Sequence, residues 1–217
     1  MAPAAVWYTG NPGAVPSQWD PLAPLELRAP ETAVQRWKIG RALDDGAQCL
    51  AAVTAAGLHA RPTDDVAASA HCGVATGVDL RRLDNARLSA MHTRCGVALS
   101  LFLWEREVVQ PAARRLFGEP VRELLHFGSY SCRHIAGTRR WSQHARANAV
   151  DISGFRVASG RVVSVLRDWP GEGPAAQFLR AVRDGACGRF RLVLSPDFNA
   201  AHRDHFHFDH GYWTGCR

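Results

Sequence analysis

Residues 200–210, "AAHRDHFHFDH", hold four of the chain's ten histidines and two aspartates, with phenylalanines between them. Imidazole and carboxylate move protons near neutral pH, and both hold divalent metal ions. In a strand, alternate side chains share a face, which puts His205, His207 and Asp209 on one side and Phe206, Phe208 and His210 on the other. Residues two apart are separated by about 6.7 Å along a strand, close enough for two imidazoles to approach one ion and its water. The phenylalanine face then reads as core. Two histidines are too few for a catalytic zinc, which takes three protein ligands and keeps one position open. The best source of the rest is "WSQHARANAVDISGF", where His144 precedes Asp151 with a turn-like "ARAN" between them and a strand under Asp151. Imidazole nitrogen with carboxylate oxygen suits zinc (Zn2+), although iron, cobalt and manganese accept the same donors.

The elements that must position these groups are also marked. "TAVQRWKIGRALDDGAQCLAAVTAAG" has apolar residues at helical spacing and predicts one or two helices ending at Gly57. "RCGVALSLFLWEREVVQPAARRLFG" predicts a second helical stretch, with Pro111 as a kink or as the first-turn residue of a continuation. After residue 120 the period moves towards two. "ELLHFGSYSCR" reads as a strand and loop, "NAVDISGFRV" and "RVVSVLRDW" as two strands of a hairpin across "ASG", and "RFRLVLSP" and "DHFHFDHGYW" as further strands. "GPAAQFLRAVRDGACG" predicts a helix from Pro174 to Gly185. The expected class is α+β, an antiparallel sheet carrying a metal site with a helical scaffold from the N-terminal half. The expected division is an extended Pro-rich arm over 1–31, leaning on the domain through Trp7, Tyr8 and Trp19, a helical lobe over 32–120, and an α+β unit over 121–217 that is compact with the lobe.

At 217 residues, with 47% hydrophobic and 21% charged side chains, the chain is large enough to bury a core of its own. No apolar run approaches the roughly 18 residues of a membrane span. The net charge of +6 favours anionic surroundings, but the arginines are dispersed and no nucleic-acid motif is present, so a solvated basic surface without a nucleic-acid partner is expected. The six cysteines have no CxxC spacing and read as disulfides of an oxidising compartment. Three precede residue 100 and three follow it, so full pairing requires a bridge between the halves. The expected location is therefore periplasmic or secreted. "MAPAAVWYTGNPGAVPSQWD" lacks the basic start and apolar core of a signal peptide, and reads as the start of a mature form or as a mis-set start.

The segment from Ser142 to Asp151, "SQHARANAVD", resembles the S-x-H-x-x-G-x-A-x-D motif of zinc D-alanyl-D-alanine peptidases, and "HRDHFH" resembles the closing histidine motif of the wider group that includes murein endopeptidases and hedgehog-like domains. From about residue 20 onward the chain resembles the bacterial extensin-like C-terminal domain family, through "CGV", "WEREVVQPAA", "GSYSCR", "NAVDISGF" and "SPDFNAAHRDHFHFD". The resemblance implies metal ligands at His144, Asp151 and His207. It implies a general base at His205 or Asp204; strand geometry favours His205, unless the chain is still turning there. It also implies Arg133, in "GSYSCR", as the group that holds a substrate carboxylate or the oxyanion. Asp209 or Asp204 is placed to orient a ligand imidazole. Two departures stand out: Ala147 replaces the motif's glycine, and no Glu-x-Trp-His segment is present.

The implied activity is zinc-dependent cleavage of peptide or amide bonds in peptidoglycan, with peptidoglycan or its peptides as partner. The alternative is a non-catalytic wall-binding or interaction module that keeps the metal pocket. His59, His71, His92, His126 and His134 read as packed or solvent-facing, as do His202 and His210, with cleft lining as the alternative for His202, and Ser142 reads as a cap, since no Gly-x-Ser-x-Gly elbow surrounds it. The repetitive proline-rich pattern of a structural extensin is absent from the sequence.

Overall fold

The computed structural model describes residues 15–217. Trp7 and Tyr8 of the expected arm lie outside these residues. Residues 15–31 are turns and irregular chain; Leu27 is buried, Lys38 Nζ donates to Ser17 O at 2.7 Å, and Trp19 stays half exposed. Thr32 caps α1 (Ala33–Asp44) by accepting from Gln35 N–H, and Asp45 caps α2 (Gly46–Ala55) in the same way from Ala47 and Gln48. Gly57, at φ +67°, turns the chain out of α2 as its position past the helix end predicts.

The helical lobe expected over 32–120 is interrupted. Residues 59–94 form β1 (His59–Pro62), β2 (Val66–Ala67), β3 (Gly73–Val74), β4 (Gly77–Arg82) and β5 (Arg87–Arg94). In β4, Val78 and Leu80 are buried while Asp79 and Arg81 face solvent, a period of two that lies between two stronger helical patterns. Helix then returns as α3 (Cys95–Trp104), a π-helical turn over Glu105–Val109 and α4 (Gln110–Phe117). Every residue of α3 from Val97 to Trp104 is buried, as befits a helix apolar all round. Pro111 lies at the start of α4, directly after the π-helical turn, in helical backbone that runs on from Val109 and Gln110.

The second half supplies β6 (Val121–Gly128), β7 (Ala149–Val157), β8 (Val162–Ser164), α5 (Val165–Asp168), α6 (Pro174–Ala186), β9 (Leu192–Leu194), β10 (Phe206–Asp209) and β11 (Gly215–Cys216). The strand expected over "RVVSVLRDW" stops at Ser164, whose N–H donates to the Asp168 carboxylate at 2.7 Å and closes a turn of helix. Gly185 does not stop α6 but lies inside it, because a Cβ there would stand 2.3 Å from Val108 Cγ1. Gly185→Val is accordingly expected to destabilise the oxidised protein by about 1–3 kcal/mol, the range for overpacking, read by chemical denaturation.

One sheet joins both halves in the order β1-β4-β5-β6-β7-β10-β9-β11, with β8 on the far part of β7, so residue 120 does not separate two sheets. It is largely antiparallel, with parallel pairs at β5/β6 and β9/β11. Trp104 packs against Phe155 and Phe208, and its indole N–H donates to Val182 O at 2.8 Å, tying α3 to the sheet and to α6. The disulfides are Cys49–Cys95, Cys72–Cys132 and Cys187–Cys216. The second of these is the bridge between halves that the cysteine count required. Among the described residues no helix is long and apolar enough to cross a membrane.

Candidate metal centre

His207 on β10 lies directly opposite Asp151 on β7 in the antiparallel register, so the two side chains are nearest cross-strand neighbours. His144 reaches them from the 3-10 turn Gln143–Arg146 that leads into β7. Ser142 caps that turn by accepting from His144 N–H at 3.3 Å, as expected of it. The turn ends at Ala147 with φ 49°, the left-handed conformation that favours glycine; alanine accepts it here at a modest cost. The carbonyl of Ala147 accepts from Arg94 N–H and Thr93 Oγ1, and Ser129 Oγ donates to Ala149 O at 2.6 Å, which holds the strained residue in place.

The three donor atoms converge. His144 Nε2 is 3.1 Å from Asp151 Oδ1 and 3.2 Å from His207 Nδ1, and His207 Nδ1 is 2.9 Å from Asp151 Oδ1. An ion held at about 2.0–2.1 Å by each donor of a tetrahedral zinc site sets donors about 3.3 Å apart, within a few tenths of an ångström of these spacings. The opposite nitrogen of each ring is anchored: His144 Nδ1–H donates to Ser129 O at 2.6 Å, and His207 Nε2–H to Asp209 Oδ2 at 3.0 Å. Asp209 is held in turn by Gly211 N–H at 2.7 Å. Both imidazoles therefore turn a lone pair towards the carboxylate, an arrangement that needs a cation at its centre, proton or metal. His144, Asp151 and His207 form a possible metal-holding cluster.

Without metal, a proton on His207 Nδ1 fills that need. Burial pulls the pKa of His207 down, but its hydrogen bonds to Asp151 and Asp209 and their charges outweigh this and raise it to about 9. Burial pushes Asp151 up, but the close approach of the His144 and His207 rings and their charge hold its carboxyl well below the usual carboxylate range. A metal must displace the His207 proton. Apparent affinity is thus expected to rise about tenfold per pH unit up to about pH 9, where the free site loses the proton by itself, and to level above it. Competition against a chromophoric chelator at several pH values reads the slope; a flat profile rules out displacement of this proton.

His205 immediately precedes β10, in chain that is still turning. Its Nε2 lies 3.7 Å from Asp151 Oδ1, and its Nδ1–H donates to Asp204 Oδ1 at 2.8 Å. Asp204 is therefore not on the far side of the strand, as ideal alternation suggests, but is the partner that orients His205. His202 stands over the pair, its ring 5.2 Å from His205 and 6.0 Å from His207. Burial, then the charges of His207 and His205, lower its pKa to about 4, so it is neutral near pH 7. Phe127 packs on His205 and Phe198 on His202 at the rim, both partly exposed. Arg133 is exposed, and among the described residues no hydrogen bond or ion pair ties its guanidinium to the cluster. His71 and His134 pack on Trp141, in keeping with their non-ligand reading. Ser129 was not foreseen, since it acts through a backbone carbonyl that leaves no mark on residue type.

A mixed α+β domain with a largely antiparallel sheet, three disulfides and a histidine–aspartate cluster at its centre is the class that fold and site define. Residues 47–217 match the family described as Extensin-like protein C-terminus, and the chain belongs to it. The resemblance first read from about residue 20 thus holds from residue 47. No curated protein and no solved structure matches the chain. The three disulfides suit a secreted protein.

Proposed function

We propose that the chain is a zinc-dependent hydrolase of peptide or amide bonds in bacterial peptidoglycan, of D,D-peptidase or endopeptidase type, acting in the periplasm or after secretion. The reading is carried by the convergence of His144 Nε2, Asp151 Oδ1 and His207 Nδ1, with each outer ring nitrogen held by a separate acceptor. The motif resemblance to zinc D-alanyl-D-alanine peptidases supplies the substrate class.

His144, Asp151 and His207 are the residues that would hold zinc. Bound there, it supplies a Lewis acid that makes water a nucleophile near neutral pH and polarises the scissile carbonyl. Asp204 fixes the tautomer of His205, whose Nε2 lone pair then faces the cluster. His205 takes the proton of the attacking water and delivers it to the departing amine. Asp209 keeps the His207 lone pair directed inward. Arg133 is assigned the substrate carboxylate, which it meets from an exposed position beside the Cys72–Cys132 bridge.

One observation favours the second reading, a non-catalytic wall-binding module: His205 Nε2 is near enough to the cluster to close it as a fourth ligand. Zinc content with and without chelator, measured beside muropeptide release from purified peptidoglycan, separates the outcomes. Absence of zinc uptake sinks the hydrolase. Zinc uptake without release from any of several wall chemotypes leaves the module.

A further inference from the structure

We infer that the chain carries a second site, for a small organic carboxylate or phosphate, in the cavity bounded by the junction of α1 and α2, the start of α3 and the chain at the ends of β5 and β10 and before β7 and β9. The cavity measures about 370 Å³ and is lined by Arg94, Gly96, Asn148, Arg191 and His210 among others. It lies on the Phe208 side of β10, because His210 and Phe208 both stack on Phe190 and His210 Nε2 meets Ser100 Oγ of α3 at 2.9 Å. His207 points to the other side, so the cavity is separate from the metal centre.

Positive charge gathers here without an answer. Among the described residues neither Arg94 nor Arg191 forms an ion pair, and Asp44, the carboxylate on the cavity wall, is exposed and pairs with neither. Both guanidiniums are felt at His210, where burial comes first and Asp209 opposes while the two arginines add to the lowering. Helix α3 begins in this wall with no side-chain cap; the N–H of Cys95 is taken by Thr76 O at 2.9 Å, and that of Gly96 meets no side chain or loop carbonyl among the described residues. The Gly96 N–H at the helix start and a pair of arginine forks favour the same ligand, an oxyanion. A cavity of this size falls in the range of small-molecule pockets, about 300–1,000 Å³, which gives room for an organic body beyond the bare anion.

The test uses chelator-washed protein, so that a metal at the histidine cluster cannot itself capture the anion. Inorganic phosphate and acetate are titrated in separate arms, with binding read by ligand NMR line broadening, and the tighter arm identifies the anion type. Arg191→Gln, at an exposed position, should weaken the bound probe about tenfold or more, the loss of one charge-assisted hydrogen bond. Arg94→Gln with Arg191→Gln should abolish binding, while zinc uptake at the histidine cluster stays as in the unaltered protein and reports an intact fold. Equal binding by both variants and the unaltered protein overturns the site, as does failure of the unaltered protein to bind either probe.

Discussion

Replacing His207 with alanine should lower zinc affinity by about 10²–10³-fold. Apparent binding free energies of structural zinc sites are about 10–16 kcal/mol spread over four donors, which assigns roughly 2.5–4 kcal/mol to each. The same loss is expected for His144→Ala and for Asp151→Asn, since all three donors lie within 3.2 Å of one another around one point. Asp209→Asn should cost less, about 10–100-fold, because it removes the acceptor that orients His207 and not a donor to the ion. Chelator competition at a single pH above 9 reads the ranking, because the His207 proton then no longer competes. Unchanged affinity in all three ligand variants would falsify the site, and an Asp209 effect as large as that of His207 would make Asp209 a ligand in its own right.

How much of this was legible in the sequence depended on whether residue type or chain path carried the signal. His144 and Asp151 stand out in the sequence because imidazole and carboxylate flanking a turn can share one ion, whereas the choice of His207 over His205 as the third donor rests on the motif resemblance. The alternation of Phe206 and Phe208 against His207 and Asp209 marked the strand and its buried face before any coordinates, and the structure buries both phenylalanines completely. Ser129 was not readable, since any residue offers the same carbonyl to His144. The strands over 59–94 are short alternating runs between stronger helical patterns, and pairing with partners, β1 and β5 on either side of β4 and β2 with β3, makes them persist. Gly185 looked like a helix stop because glycine usually is one there; contact with Val108, distant in sequence, decides its role. The side taken by Asp204 depends on where the strand starts, which residue types do not mark; β10 begins at Phe206, so Asp204 lies in the turn before it and reaches His205.

The turn at Asp204 also decides the second large effect. His205→Ala is expected to lower the rate of muropeptide release by about 10²–10⁴-fold, the range for loss of a general base, with zinc affinity unchanged. Asp204→Ala should lower the rate less, because His205 keeps its lone pair and loses only the acceptor that holds Nδ1–H at 2.8 Å. Alanine is the informative choice, since an asparagine amide can donate to Nδ1 and drive the ring proton onto Nε2, the atom that faces the cluster. A larger loss in Asp204→Ala than in His205→Ala makes Asp204 the base, with His205 positioning it. If His205→Ala instead lowers zinc affinity by about 10²–10³-fold, His205 is a fourth donor, because a base near the ion contributes no such share of its binding. A site closed in that way leaves no position for water, and the chain would then bind the wall without cutting it.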